Sequence, residues 1–177
     1  MVYNTLTNAS HTFSVRARNG VGTLSSATSR QWTVDTLAPA TPTLTRTAPA
    51  STPTNSTNAT LTPGNVEAGG IIEYSSNGGT TWATGANPLS LTGLLNGTTY
   101  TYITRVRDAA GNNSAASNSV SWTVDTTPPP LAIDRRPPAI TDTTSATIEF
   151  SSTDPTATFQ CRVNDAAYTT CTSPHTI

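Results

Sequence analysis

Short runs of alternating apolar and polar residues dominate this chain, and they predict β-strands. In the run 98–107, Tyr100, Tyr102 and Val106 fall on one face of a strand, while Thr101 and Ile103 fall on the other. Turn-forming residues such as those at 77–79 (Asn-Gly-Gly) separate such runs. The predicted strands of the stretch 38–127 lie near 43–48, 58–62, 71–76, 80–84, 89–91, 98–107 and 116–125. This rhythm of short strands predicts an all-β fold, an antiparallel β-sandwich.

The sequence repeats itself at a spacing of about 90 residues. The residues 11–19 match 100–108, and a block that reads Trp-Thr-Val-Asp-Thr recurs in the same order. A second correspondence relates 73–88 to 160–174. The chain is therefore expected to be a piece of something longer, with Pro-rich, extended connections between its parts. The expected parts are the C-terminal part of one repeat (1–37), a complete repeat (38–127) and the N-terminal part of another (128–177).

Composition narrows the classes of function. Charged residues make up 11% of the chain, the basic residues are nine arginines with no lysine, and the net charge is -1. A nucleic-acid binder needs a dense cationic surface, so no nucleic-acid partner is expected. No apolar run reaches the length of about 18 residues that a membrane helix needs. His11 and His175 stand in no motif, and there is no phosphate loop and no zinc spacing, so we expect no enzymatic activity.

The late part of the complete repeat resembles fibronectin type III and bacterial immunoglobulin-like (Ig-like) domains. The residues 95–100 (Leu-Asn-Gly-Thr-Thr-Tyr), followed by 105–111 (Arg-Val-Arg-Asp-Ala-Ala-Gly), carry this resemblance. The block 122–126 with Pro128 is similar to the strand and linker that end each unit of tandem repeats in large secreted or cell-surface, adhesin-like proteins. The resemblance implies Ig-like sandwich repeats, one complete and two partial, in which the Tyr100 hydroxyl fixes the corner between the sheets.

The aromatic residues at strand spacing are expected in the core. They are Phe13, Trp32, Tyr100, Tyr102 and Trp122.

Cys161 and Cys171 are the only cysteines, and they flank an expected hairpin at Asn164 and Asp165. Two cysteines form no zinc site without further ligands, so a cross-strand disulfide is the preferred interpretation, and two free buried thiols are the alternative. The segment also resembles a paired-cysteine variant of the same repeats. A disulfide would indicate an extracellular or cell-surface location.

Three aspartates, Asp35, Asp108 and Asp125, are candidate calcium ligands. The resemblance carries this expectation, because equivalent acids bind calcium between domains in some bacterial Ig-like arrays. Calcium takes six to eight oxygen ligands. Around each of these positions the sequence offers a single acidic side chain, with neighbouring side-chain amide and backbone oxygens as the other ligands. The alternative is that these acids cap loop amides. No other cofactor is expected.

Tyr74 and Trp82 flank the turn at 77–79 and are candidate ligand-binding residues. Their rings could stack on a sugar or on a partner protein. The alternative is that both rings simply cover the sheet.

These observations favour a structural function. The first hypothesis is a non-catalytic stalk or spacer segment of an extracellular bacterial surface protein, adhesin-like, whose partners are the neighbouring repeats of its parent chain. The alternative is a carbohydrate- or protein-binding β-sandwich module of a secreted protein, with host or surface glycans or proteins as partners. A third hypothesis follows from the two partial repeats, whose open strand edges invite pairing. Identical chains would then join head-to-tail into a filament by strand complementation. The alternative is that the neighbouring segments of a longer parent chain complete both partial repeats.

Overall fold

The structure, a computed structural model, describes residues 5–177, so the first four residues of the predicted segment 1–37 lie outside it. Every element of the described residues is a β-strand, and no helix occurs among them. The strands are β1 (Ala9–Val15), β2 (Thr28–Val34), β3 (Thr43–Ala48), β4 (Ala59–Gly64), β5 (Ile71–Ser75), β6 (Ala83–Thr84), β7 (Leu89–Leu91), β8 (Thr99–Arg107), β9 (Val120–Thr123), β10 (Ala132–Arg135), β11 (Thr147–Ser151), β12 (Phe159–Cys161), β13 (Thr169–Cys171) and β14 (His175–Thr176). The fold is all-β and its named strand pairs are antiparallel.

The chain forms two compact units, Met1–Thr126 and Thr127–Ile177. The first unit contains a head segment (residues 5–37) and a middle sandwich (38–126), and the second is the tail unit (127–177). The repeat boundaries themselves stay a prediction.

The middle sandwich consists of two sheets, one with the order β3-β4-β7 and one with the order β6-β5-β8-β9. The strand β5 pairs with β8 from Ile71 opposite Arg107 to Ser75 opposite Ile103. The placement of the short β6 beside β5, in the same sheet as β8 and β9, is the fibronectin type III arrangement of an Ig-like sandwich. The sequence prediction of this fold class is confirmed.

The core of the middle sandwich lies between the two sheets around Trp122, which is 1% exposed. Leu44 and Leu61 reach it from one sheet and Tyr74 from the other. The indole ring of Trp122 stacks on the ring of Tyr100 at a centroid distance of 5.6 Å, and Tyr102 lies on its flank at 5.9 Å. Burying an aromatic side chain of this size contributes about 2–3 kcal/mol, so this cluster holds the two sheets together.

Tyr100 fixes the turn that leads into β8. Its hydroxyl oxygen accepts a hydrogen bond from the backbone N–H of Leu95 at 2.8 Å. The expected corner between the sheets is thereby confirmed.

The strand predicted at 116–125 begins only at Val120, and the side chains before it explain the difference. The N–H groups of Val106 and Thr104 on β8 donate to the hydroxyls of Ser114 and Ser117 instead of to backbone carbonyls. Because the two serine side chains take the place of strand acceptors, the chain runs beside β8 without a regular ladder.

Phe13 and Trp32 are not core residues in this chain, which corrects the prediction for these two aromatics. They are 51% and 39% exposed. They lie on β1 and β2, which form a two-stranded sheet of their own. Since the described head segment supplies no second sheet, the apolar face of this hairpin stays open.

The tail unit contains a three-stranded sheet with the order β10-β11-β14 and a two-stranded sheet of β12 and β13. Its apolar side chains are also incompletely covered, with Leu131, Ile133 and Ile177 all exposed. An open cleft among these side chains reaches down to Ile148 and Phe150.

Pairs of hydroxyl groups join neighbouring strands on the outer faces of all three parts. Ser14 and Ser29 are 2.7 Å apart in the head segment, Thr99 and Thr123 are 2.8 Å apart in the middle sandwich, and Thr147 lies 3.1 Å from Thr176 in the tail unit. Such cross-strand hydroxyl pairs stabilise a sheet by a few tenths of a kcal/mol each, which gives the many threonines and serines a structural role.

Candidate functional site

The outer face of the four-stranded sheet carries a buried charge. Glu73 on β5 points away from the core, and its carboxylate is bracketed by two arginines of β8. The Nε of Arg105 lies 2.7 Å from Oε2, and the Nε of Arg107 lies 3.4 Å from Oε1. The two arginines are two residues apart and therefore share a face of the strand. This arrangement neutralises the buried carboxylate and ties β5 to β8.

Trp82 lies on the same outer face, just before β6. Its ring lies under the guanidinium of Arg105, whose Cζ is 4.4 Å from the ring centroid. This is a cation–π contact, and it occupies one face of the indole that a sugar ring would stack on. Gly79 keeps the turn close to the ring, because a Cβ there would lie 3.3 Å from Cζ2 of Trp82.

Tyr74 is a buried residue at 5% exposure, and its ring belongs to the core cluster. Its hydroxyl donates a hydrogen bond to the carbonyl oxygen of Ala86 at 2.7 Å. Burial raises the pKa of Tyr74 to about 12. Tyr74 and Trp82 do line one shallow depression together with Tyr102 and Leu89. The structure thus brings the two candidate residues together, with Tyr74 as part of the floor, and ligand binding there stays a prediction.

Asp108 organises the loop that follows β8. One carboxylate oxygen accepts the N–H groups of Gly111 and Asn112 at 2.7 and 2.8 Å, and the other accepts the side-chain amide of Asn112 at 2.9 Å. The side-chain hydrogen bond from Asn112, aided by backbone hydrogen bonds in the same loop, lowers the pKa of Asp108 below its ordinary value. Desolvation opposes this shift. The carboxylate is thus used as a loop cap.

The three candidate calcium ligands do not converge on one point. Asp35 lies near Asp108, because the Asn112 amide also donates to the backbone oxygen of Asp35 at 3.1 Å. Asp125 follows the other end of the hairpin of β8 and β9, where Thr99 pairs with Thr123. Groups of three or more His, Cys, Asp or Glu side chains able to hold a metal are not found in the part of the chain that the structure describes. Calcium binding stays a prediction for these residues.

Cys161 and Cys171 form a disulfide across β12 and β13, with Cα atoms 5.7 Å apart. The pairing of the two strands places Phe159 opposite Cys171 and Cys161 opposite Thr169, so the bridge runs diagonally across the hairpin. The disulfide therefore links the two strands of the tail unit's smaller sheet.

The comparison of the two hairpins reveals a role that sequence analysis missed. In the middle sandwich, the position of Cys161 is taken by Tyr74 and that of Cys171 by Gly85, where a Cβ would lie 2.7 Å from the tyrosine ring. A large ring against a glycine in one hairpin thus stands where the other hairpin has a covalent bridge. The repeat match of 73–88 with 160–174 contained this signal, since it aligns Tyr74 with Cys161.

The described residues include no helix long and apolar enough to cross a membrane.

Comparison with known proteins gives partial matches, and no family model matches the chain. The chain is 35% identical over 119 residues to Chitinase A1 of Niallia circulans, a match that covers 63% of this chain and 17% of the chitinase. It is 38% identical over 126 residues to Endoglucanase B of Cellulomonas fimi, covering 64% of this chain and 12% of the relative. Exoglucanase B of Cellulomonas fimi is 34% identical over 158 residues, which cover 81% of this chain and 14% of the relative.

The chain thus spans less than a fifth of the length of each of these three relatives. Its strand order is that of a fibronectin type III-like sandwich, and the proteins to which it is similar are bacterial. The chain is therefore a fibronectin type III-like β-sandwich segment, and it is similar to short stretches of a bacterial chitinase and of two bacterial glucanases.

Proposed function

We propose that this chain is a non-catalytic structural spacer module of a secreted bacterial protein. One observation carries the proposal: most of this chain is similar to a short stretch of a chitinase, of an endoglucanase and of an exoglucanase. Stretches similar to this chain occur in three proteins named for three activities, so we infer that such a stretch itself determines none of those activities. A spacer between other domains is the role that such a segment can serve in each of them.

The contacts of the middle sandwich support this role. The side chains that could carry chemistry are occupied by structural contacts: Glu73 by two arginines, Trp82 by Arg105 and Asp108 by its own loop. Groups held in this way do not need a ligand to be satisfied.

The joint between the head segment and the middle sandwich also supports a spacer. Pro39 and Pro42 of the connection are buried, and the Asn112 amide holds the backbone of Asp35. A proline has a fixed φ, so a connection with buried prolines is stiffer than a Gly/Ser linker. A stiff joint keeps the domains that it separates at a defined distance.

The disulfide favours a location outside the cytoplasm, because such bonds persist in oxidising compartments. A secreted polysaccharide-degrading enzyme is the parent protein that the relatives suggest, and an adhesin-like surface protein is the other parent in which a spacer of this kind would serve.

Retention on insoluble polysaccharide tests the proposal against the carbohydrate-binding alternative. The oxidised chain is incubated with chitin and with cellulose, and both the bound fraction and the release of soluble sugar are measured. We expect the chain to remain in the supernatant and to release no sugar, because Arg105 covers one face of Trp82 and Tyr74 is buried.

The variant Trp82→Ala provides the matched comparison. Retention of the unaltered chain that is lost in Trp82→Ala would replace the spacer with a sugar-binding module. If the chain still releases soluble sugar after it has been purified to homogeneity, that activity would contradict the non-catalytic assignment.

A further inference from the structure

We propose that the head segment of one copy of this chain docks on the tail unit of a second copy and completes an Ig-like sandwich there. The strand β1 of the head segment would lie beside the open edge of β12, to give a four-stranded sheet with the order β13-β12-β1-β2. This proposal is independent of the spacer function and can fail without affecting it.

The head segment is already folded as the last hairpin of a sandwich. His11 pairs with Trp32, as Tyr100 pairs with Trp122 in the middle sandwich. The loop between the strands is also reproduced: Asn19 caps it through the N–H of Thr23 at 2.9 Å, where Asp108 caps the N–H of Asn112. The N–H of Ala17 donates to the Ser25 hydroxyl at 2.9 Å, as that of Val106 does to Ser114. This hairpin therefore needs no rearrangement before it docks.

The tail unit supplies the complementary strands. Its sheet β10-β11-β14 has the same order as β3-β4-β7, and its hairpin of β12 and β13 corresponds to that of β5 and β6. In the middle sandwich, β5 uses its second edge to pair with β8. The matching edge of β12 is unpaired within the described residues. Within 127–177 there is thus no counterpart of β8 and β9, the two strands to which β1 and β2 of the head segment correspond.

The exposed side chains on both parts are those that the middle sandwich buries. Trp32 corresponds to Trp122, which is 1% exposed. Ile133 is 64% exposed, whereas Leu44, the residue that corresponds to it, is 2% exposed. The open cleft of the tail unit, lined by Ile133, Ile148 and Phe150, lies where the middle sandwich holds Trp122. Trp32 of a second copy is therefore the side chain that fits this cleft.

Charge and size agree with the proposed contact. The head segment has three arginines and one aspartate, a net charge of +2, and the tail unit has three arginines against five acids, a net charge of -2. Opposite net charges favour encounter between the two parts. A specific protein interface takes about 20–30 residues from each partner, and the head segment at 5–37 has the length to supply them.

The repeat match also predicts the register of the new strand pair. Glu73 lies opposite Arg105 in the middle sandwich, and the equivalent residues are Gln160 on β12 and Arg16 just after β1. Gln160 of one copy would then face Arg16 of the next, with both side chains exposed in the single chain. A glutamate at position 160 would complete the ion pair that Glu73 forms with Arg105.

Sedimentation velocity of the oxidised full chain, over roughly a hundredfold range of concentration, tests the proposal. We expect species larger than the monomer whose proportion rises with concentration. Gln160→Glu should lower the dissociation constant roughly two- to fivefold, the range of a partly exposed ion pair, and Gln160→Arg should raise it. The double variant Arg16→Glu/Gln160→Arg should return it toward the value of the unaltered chain.

Ala139→Glu is the matched control, because it adds the same charge to an exposed position of the tail unit outside its strands. It should leave the dissociation constant unchanged. A single monomer boundary for the unaltered chain and for Gln160→Glu would overturn the proposal. Association that is the same in Gln160→Glu, Gln160→Arg and Ala139→Glu would also overturn it, since it would be adhesion of apolar surfaces without the proposed register.

Discussion

At the scale of single residues, two loops of this chain are capped in the same way, one by a charged side chain (Asp108) and one by a neutral side chain (Asn19). Asp108 and Asn19 occupy the same position in two similar hairpins and accept hydrogen bonds from the same kind of loop N–H groups. Gly111 and Gly22 follow them with positive φ values of 99° and 96°, which a glycine adopts without strain. The cap thus forms with a carboxylate or with an amide, and only the carboxylate adds a dependence on pH.

The variant Asp108→Asn should isolate that dependence. The pKa of Asp108 is lowered in the folded state, so its carboxylate stabilises the fold at neutral pH. This contribution is complete above the unfolded-state pKa of about 4 and is lost as the pH falls toward the lowered folded-state value. Urea unfolding from pH 7 down to pH 3 should show Asp108→Asn less stable at neutral pH, with a difference that shrinks on acidification. A difference that is the same at every pH would contradict the assignment.

Gly85 is the second residue whose role can be measured. There is no room for a side chain at position 85, because a Cβ there would lie 2.7 Å from Cδ2 and Cε2 of Tyr74. Gly85→Ala should therefore lower the free energy of unfolding by about 1–3 kcal/mol, the range of overpacked cores.

The control for Gly85→Ala is Gly20→Ala, since nothing lies within 4 Å of a Cβ at Gly20. Its effect should stay within about 0.5 kcal/mol. Equal stability of both variants in thermal or urea unfolding would show that Tyr74 moves aside without loss.

The sequence indicates the roles of some residues and not of others, for a physical reason. The role of Tyr100 could be assigned because the residues around it resemble the corner of fibronectin type III and Ig-like domains, and its hydroxyl does accept a hydrogen bond from the N–H of Leu95. The contact of Trp82 with Arg105 joins residues far apart in the chain. Alternation of polar and apolar residues assigns each ring to a face but does not say which side chain will cover it.

At the scale of strands, the predicted and observed elements of the middle sandwich agree where alternation is strong. The strands β3, β7 and β8 lie within a residue of their predicted bounds. The largest difference, at the start of β9, occurs where the hydroxyls of Ser114 and Ser117 replace backbone acceptors. Sequence patterns report the period of a strand, whereas the length of the ladder depends on which groups accept its N–H hydrogen bonds.

Reduction of the disulfide tests how much the hairpin of β12 and β13 depends on it. Each strand has three residues, so the ladder alone is short. A bridge between Cys161 and Cys171 restricts the unfolded chain, which contributes about 2–3 kcal/mol for a loop of this length. Reduction should therefore increase amide exchange and proteolysis in 127–177.

The middle sandwich is the internal control for that experiment, because it contains no cysteine. Its amide protection should be the same with and without reductant. If the tail unit keeps its protection after reduction, its sheets and not the bridge hold it together.

At the scale of the whole molecule, the division into one complete and two partial repeats stays a prediction, and the sequence pattern did not indicate how far each part would be buried. Phe13 and Trp32 follow the same alternation as Tyr102 and Trp122, so a pattern alone assigned all four to a core. A residue is buried only when a second sheet lies over it. The structure shows that the hairpin forms with its apolar face open, which is the feature that the self-association experiment examines.

The hydroxyl pairs that connect neighbouring strands affect the conditions under which the molecule stays folded. Ser14 with Ser29, Thr99 with Thr123 and Thr147 with Thr176 are uncharged over the whole physiological range of pH. Salt screens ion pairs on a surface, but it does not screen a hydrogen bond between two neutral hydroxyls. Contacts of this kind between neighbouring strands are therefore little affected by ionic strength, unlike the ion pairs of Glu73 with Arg105 and Arg107.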